Sequence, residues 1–103
     1  MSTITDGLAG VDEKVQAALK AISNDNGASP VLLAVVEDFG RKTAKASEQA
    51  TAGGSAAREA VIELEQAGDS SKYAAEADGG ASDDTREAVL AAHLAICMLK
   101  AEL

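Results

Sequence analysis

This sequence predicts an all-α fold, a small antiparallel four-helix bundle with coiled-coil-like seams. Three observations carry the prediction. Apolar residues recur at alternating steps of four and three in separate stretches of the chain, the pattern that packs helices at small crossing angles. Alanine, glutamate, leucine and lysine are abundant, while Phe39 and Tyr73 are the only aromatic residues; this favours helix over sheet. No run alternates polar and apolar residues with period two. At 103 residues the chain is expected to form one domain, 1–103, with a modest core that association would supplement.

The first helix is expected near 5–23. Ile4, Leu8, Val11, Val15, Ala18 and Ile22 form its seam, and Leu19 widens it. Gly7 and Gly10 weaken its first turns. Residues 23–29 are rich in Ser, Asn, Asp and Gly and read as a stop.

The second helix, near 30–52, opens the densest apolar run of the chain. Ser29 suits the N-cap, and Pro30 suits the first helical position, where a missing N–H costs nothing. Leu32, Val36, Phe39, Thr43, Ala46 and Ala50 form the seam. The short connection before it makes the first two helices antiparallel neighbours.

At Gly53-Gly54-Ser55 the predicted event is a turn, with Ser55 capping a third helix near 55–68. The alternative is a long helical hairpin, with helix 30–67 continuous through Gly53-Gly54, because the seam stays in phase to Ala57, Ala60 and Leu64. Two interior glycines would cost that helix about 2 kcal/mol. Gly68 sits where a C-terminal cap glycine belongs. Residues 69–82 read as a mobile loop, holding at most a helical turn or two begun by Asp69 and anchored by Tyr73.

The last helix is expected near 83–102, with Asp84 and Glu87 as a capping box. Val89, Ala92, Ile96, Leu99 and Leu103 form one seam; Leu90, Leu94, Cys97 and Ala101 form a second beside it. So wide an apolar face belongs either to the middle of a bundle or to a contact with another subunit. No repeat of fixed period is evident.

The formal net charge is −8, which disfavours nucleic acid and anionic membrane as partners. Residues 59–87 hold nine acids against two bases, Lys72 and Arg86. A solvated face explains that run, and docking onto a basic partner is its sharper alternative. Arg41, Lys42 and Lys45 lack the interleaved aromatics of a nucleic-acid surface. The longest wholly apolar run, 31–36, falls far short of the roughly 20 residues a membrane helix needs. Cys97 is the only cysteine, so no intrachain disulfide forms and a reducing compartment is the simple expectation. The protein is therefore expected to be cytoplasmic, or secreted without a classical signal peptide, since Met1 to Asp6 offer neither a basic segment nor an apolar one.

His93 and Cys97 lie four apart and share a helix face, a spacing that suits two metal ligands. No other His or Cys exists, and no acid of the same helix lies nearby on that face. Packing is their expected role. Residues 78–87 do not match a calcium loop, because Gly79 and Gly80 stand at ligand positions. The glycine pairs make no phosphate-binding motif. No catalytic, cofactor-binding or metal-ligating residue is assigned, no cofactor is expected, and no small-molecule substrate is evident. The expected function is a non-catalytic helical protein–protein interaction module, an oligomeric scaffold or adaptor. Its expected partner is a second copy, another helical protein, or both. The candidate interface residues are Leu32, Val36, Phe39, Val89, Leu90, Leu94, Ile96 and Leu99.

One local resemblance bears on the alternative. The run Ala17-Ala18-Leu19-Lys20-Ala21-Ile22, a polar turn, then Ser29-Pro30-Val31-Leu32-Leu33-Ala34 resembles the hairpin of type III secretion needle subunits. That resemblance implies a filament-forming hairpin, hence a secretion-associated helical subunit or its chaperone. It covers roughly 20 of the 103 residues, and everything after Phe39 departs from that family. A small metal-binding protein or enzyme using His93 and Cys97 is the least favoured reading.

Overall fold

Ser29 closes the start of the second helix as expected. Its Oγ accepts hydrogen bonds from Val31 N at 3.0 Å and Leu32 N at 3.4 Å, with Pro30 in the first turn. In the computed structural model, residues 3–103 are described; Met1 and Ser2, where the expected domain begins, lie outside the described residues. Four helices follow one another: α1 (Thr3–Ser23), α2 (Pro30–Ala50), α3 (Gly54–Ala77) and α4 (Asp83–Ala101). There is no strand among the described residues. α1 packs on α2 and α4, and α3 packs on α2 and α4. Short connections and this pairing make an up-down-up-down bundle, a rod of 41 × 20 × 19 Å. The helices form a ring, so none is central.

The seams meet along the axis. Leu8, Val11, Val15, Ala18 and Ile22 from α1 join Leu32, Val36 and Phe39 from α2, Val61 and Leu64 from α3, and Val89, Ile96 and Leu99 from α4. Six of the eight candidate interface residues, Leu32, Val36, Phe39, Val89, Ile96 and Leu99, are thus enclosed in the chain's own core. Their spacing signals burial, and the other helices of the same chain provide it.

The turn at Gly53-Gly54 is real. Both residues adopt positive φ, 70° and 63°, a left-handed geometry that glycine alone adopts without penalty. The continuous helix 30–67 is excluded. Ser55 does not cap; Gly53 holds the N-cap position, with no side-chain cap bond.

The third helix runs nine residues past its expected end at 68. Gly68 does not terminate it but lies buried within it. A Cβ there would stand 2.8 Å from Ile96 Cγ2 and 3.3 Å from Phe39 Cζ. Tertiary packing selects this glycine, so its low helix propensity is overridden. Ser71 and Ala75 continue the buried stripe. Arg86 then holds the far end of α3. Its guanidinium donates to Ala75 O at 3.3 Å, Asp78 O at 3.2 Å and Ala81 O at 2.9 Å. The expected mobile loop 69–82 therefore shrinks to a tied connection, 78–82. Tyr73 is no anchor: it points outward, with Lys72 Nζ 5.3 Å from its ring centre. The cap of α4 is Ser82, whose Oγ accepts from Thr85 N at 3.2 Å; Asp83 and Asp84 sit in the first turn, where the helix dipole favours acids.

The two connections at one end of the rod are copies of one another. Asp25-Asn26-Gly27-Ala28-Ser29 and Asp78-Gly79-Gly80-Ala81-Ser82 share four of five residues, and they interlock reciprocally. Asp25 Oδ2 accepts from Ser82 N at 2.8 Å and Asp78 Oδ2 accepts from Ser29 N at 2.7 Å. Each aspartate also accepts from the glycine two residues on. Gly27 and Gly80 approach so closely that a Cβ on either would collide with the other's carbonyl oxygen. The α1–α2 and α3–α4 hairpins are thus related by an approximate two-fold axis. Buried residues correspond across it at the same offset as the loops: Leu8 with Val61, Val11 with Leu64, Val36 with Val89, Ala46 with Leu99. The chain thus holds one hairpin twice, where no repeat was expected.

Candidate functional site

Polar groups climb the α3–α4 seam. Lys100 Nζ donates to Glu65 Oε1 at 2.8 Å, and this bond holds the ammonium above its ordinary pKa. One turn along, Asp69 on α3 meets His93 on α4: Oδ1 and Nε2 are 2.8 Å apart. Because a carboxylate only accepts, the imidazole carries the proton on Nε2 in this contact. Cys97, one turn beyond His93, places Sγ 3.4 Å from that same Nε2 and 4.0 Å from Nδ1. The ligand-capable atoms of Asp69, His93 and Cys97 all lie within 4.8 Å of one another.

Local structure explains the gathering. His93 and Cys97 share a face by their spacing, as expected. The third group comes from the neighbouring helix, because α3 continues through Asp69 instead of starting anew there. Gly68 packs beside the imidazole: a Cβ there would stand in ordinary contact, 3.6 Å, with His93 Cδ2. The His93 side chain is 18% exposed and that of Asp69 48%, so the cluster opens to water on its Asp69 side. Burial raises the Cys97 thiol above its ordinary pKa, and the carboxylates of Glu65 and Asp69 push it the same way. The thiol is therefore not activated as a free nucleophile. Nor do the three residues form a relay. A nucleophile–imidazole–carboxylate triad uses both ring nitrogens, one for each neighbour; here sulfur and carboxylate converge on one.

The outer face of α4 is the second feature. Of its two seams, Val89, Ala92, Ile96 and Leu99 are buried in the bundle. Leu90 and Cys97 from the second are partly covered, and Leu94 and Met98 are 58% and 57% exposed. Leu94 and Met98 lie one turn apart on one face. A groove of about 240 Å³ beside Met98, between α1 and α4, is lined by Gly7, Gly10, Lys14, Ala95, Leu99 and Glu102. Arg41 and Lys42 face Asp38 on the surface of α2. Among the described residues no helix is long and apolar enough to cross a membrane.

No family model, no curated protein and no solved structure matches this chain.

Proposed function

We propose that the protein is a non-catalytic helical interaction module that pairs with a second copy of itself through the outer face of α4. The observation that supports this reading is the exposed pair Leu94 and Met98. Two large apolar side chains one turn apart form a stripe the chain's own helices leave uncovered, and the groove beside Met98 extends it toward α1. Scattered apolar residues are ordinary on a protein surface, but a contiguous stripe marks a contact. Antiparallel pairing of two such helices centred on Leu94 sets Leu90 of one copy against Met98 of the other, the self-complementary arrangement a two-fold dimer requires. The single cysteine, without a disulfide partner, suits a cytoplasmic setting.

Sedimentation velocity over a concentration series tests the reading. The wild-type chain is expected to associate as concentration rises, and a Leu94→Glu/Met98→Glu double variant to stay monomeric with the same helical circular dichroism. A well-folded wild-type monomer across the whole series would overturn it.

A further inference from the structure

We propose that Asp69, His93 and Cys97 form a binding site for a divalent cation of the zinc class, with one carboxylate oxygen, one imidazole nitrogen and one thiolate as ligands and water completing the coordination.

The donor set is the first argument. Thiolate and imidazole select zinc and its borderline-soft relatives over calcium and magnesium, which take oxygen. Three protein ligands and an open fourth position make a complete tetrahedral set.

The geometry is the second argument. Around tetrahedral zinc, sulfur and nitrogen ligands lie about 3.5 Å apart; Cys97 Sγ and His93 Nε2 are 3.4 Å apart. The Asp69–His93 contact, 2.8 Å long, would open by about half an ångström. Asp69 is half-exposed, so its side chain has that freedom. All three donor atoms already lie within 4.8 Å of one another.

The approximate two-fold axis supplies the third argument. The residues of the α1–α2 hairpin that correspond to Asp69, His93 and Cys97 are Gln16, Gly40 and Ala44. There the large partner is on the other helix: a Cβ on Gly40 would stand 3.4 Å from Val15 Cγ1. In the second hairpin Gly68 takes the place of Val15, and His93 that of Gly40. One glycine and one bulky residue fill the space either way. Packing alone is thus satisfied without a histidine, a cysteine or an aspartate.

Charge and protons balance. Binding displaces the thiol proton of Cys97 to solvent and shifts the imidazole proton from Nε2 to Nδ1. The ligands then carry two negative charges against the two positive charges of the ion. A bound cation supplies the stabilisation that the thiolate otherwise lacks in this acidic surrounding. Lys100 is occupied by Glu65, which keeps its ammonium on the neighbouring turn and out of the cluster.

The test is cobalt titration of the full chain under a non-thiol reductant, followed by displacement with zinc. The expected result is one equivalent of cobalt bound, with a thiolate-to-cobalt charge-transfer band and the intense visible bands of tetrahedral cobalt, all removed by zinc. Cys97→Ser is expected to abolish the charge-transfer band, and Asp69→Asn and His93→Ala to weaken binding at least about tenfold each. Zinc is expected to raise the melting temperature of the wild-type chain and leave that of Cys97→Ser unchanged. Asp69 is half-exposed, so Asp69→Asn folds normally and keeps the test sound even if His93→Ala does not. Absence of the charge-transfer band, or cobalt affinity unaltered in both Cys97→Ser and Asp69→Asn, would overturn the proposal.

Discussion

Asp25 and Asp78 hold each other's loops: Asp25 Oδ2 accepts from Ser82 N at 2.8 Å, and Asp78 Oδ2 accepts from Ser29 N at 2.7 Å. Ser29 and Ser82 are the N-caps of α2 and α4. Each aspartate therefore positions the cap of a helix in the opposite hairpin, coupling helix initiation to docking of the hairpins.

The pair is not fully symmetric. Asp25 also accepts from the Thr85 hydroxyl at 2.7 Å. The Ser82 N–H first, then the Thr85 hydroxyl and the Gly27 N–H, lower the Asp25 carboxyl from 3.8 to about 2. A carboxyl held below its unfolded value stabilises the fold above that value, and the contribution is lost as pH falls through the window from about 4 to about 2. Urea midpoints measured from pH 7 to pH 2 are expected to fall more steeply across that window in the wild-type chain than in Asp25→Asn. The variant is expected to be less stable at pH 7, because a neutral amide accepts fewer of these bonds. Parallel pH profiles for the two proteins would contradict the assignment.

Gly68 offers a second test, on stability. Glycine to alanine in an exposed helix gains about 1 kcal/mol. At Gly68 the new Cβ meets Ile96 and Phe39, and overpacking of a filled core costs about 1–3 kcal/mol. Gly68→Ala is expected to lower the unfolding free energy. Gly10→Ala, in α1 with nothing within 4 Å of its Cβ position, is expected to raise it. Thermal melts of the two variants beside wild type decide the matter, and a stabilised Gly68→Ala would show that the seam has room.

The four seams were legible because burial of one face imposes the four-three spacing, and Leu8, Val36, Val61 and Val89 all lie inside as that spacing requires. The length of α3 was not legible, because Gly68 looks like a stop until its neighbours on α2 and α4 are known. The interface residues were misread for a related reason: the pattern reports that Leu32 or Ile96 is covered, not which chain covers it. Leu94 is the exception, since it belongs to a second seam with no partner helix in the ring. Of the metal-competent cluster, His93 and Cys97 were visible as a same-face pair, while Asp69 was read as a helix start. Asp69 and His93 are 24 residues apart on different helices, and spacing within one helix cannot join them. The antiparallel ladder from Glu65–Lys100 through Asp69–His93 to Ala75–Arg86 is the register that does.

Among the described residues three hydroxyls are buried, and they differ in how they are satisfied. Thr43 Oγ1 donates to Phe39 O at 2.7 Å, and Thr85 Oγ1 donates to Asp25 Oδ2 at 2.7 Å. Ser71 Oγ, on the inner face of α3, has no hydrogen-bond partner among the described residues. A buried polar group without a partner costs about 1–3 kcal/mol of desolvation. The residue across the approximate two-fold axis is Ala18, equally buried, so the site accepts a methyl group. Ser71→Ala removes the stranded hydroxyl, leaves the Cβ in place and improves helix propensity. It is expected to raise the unfolding free energy by about 1 kcal/mol, seen as a higher urea midpoint at unchanged slope. A lower midpoint would mean that the hydroxyl is bonded in solution, and that the inner face of α3 is wetter than its packing against α2 and α4 implies.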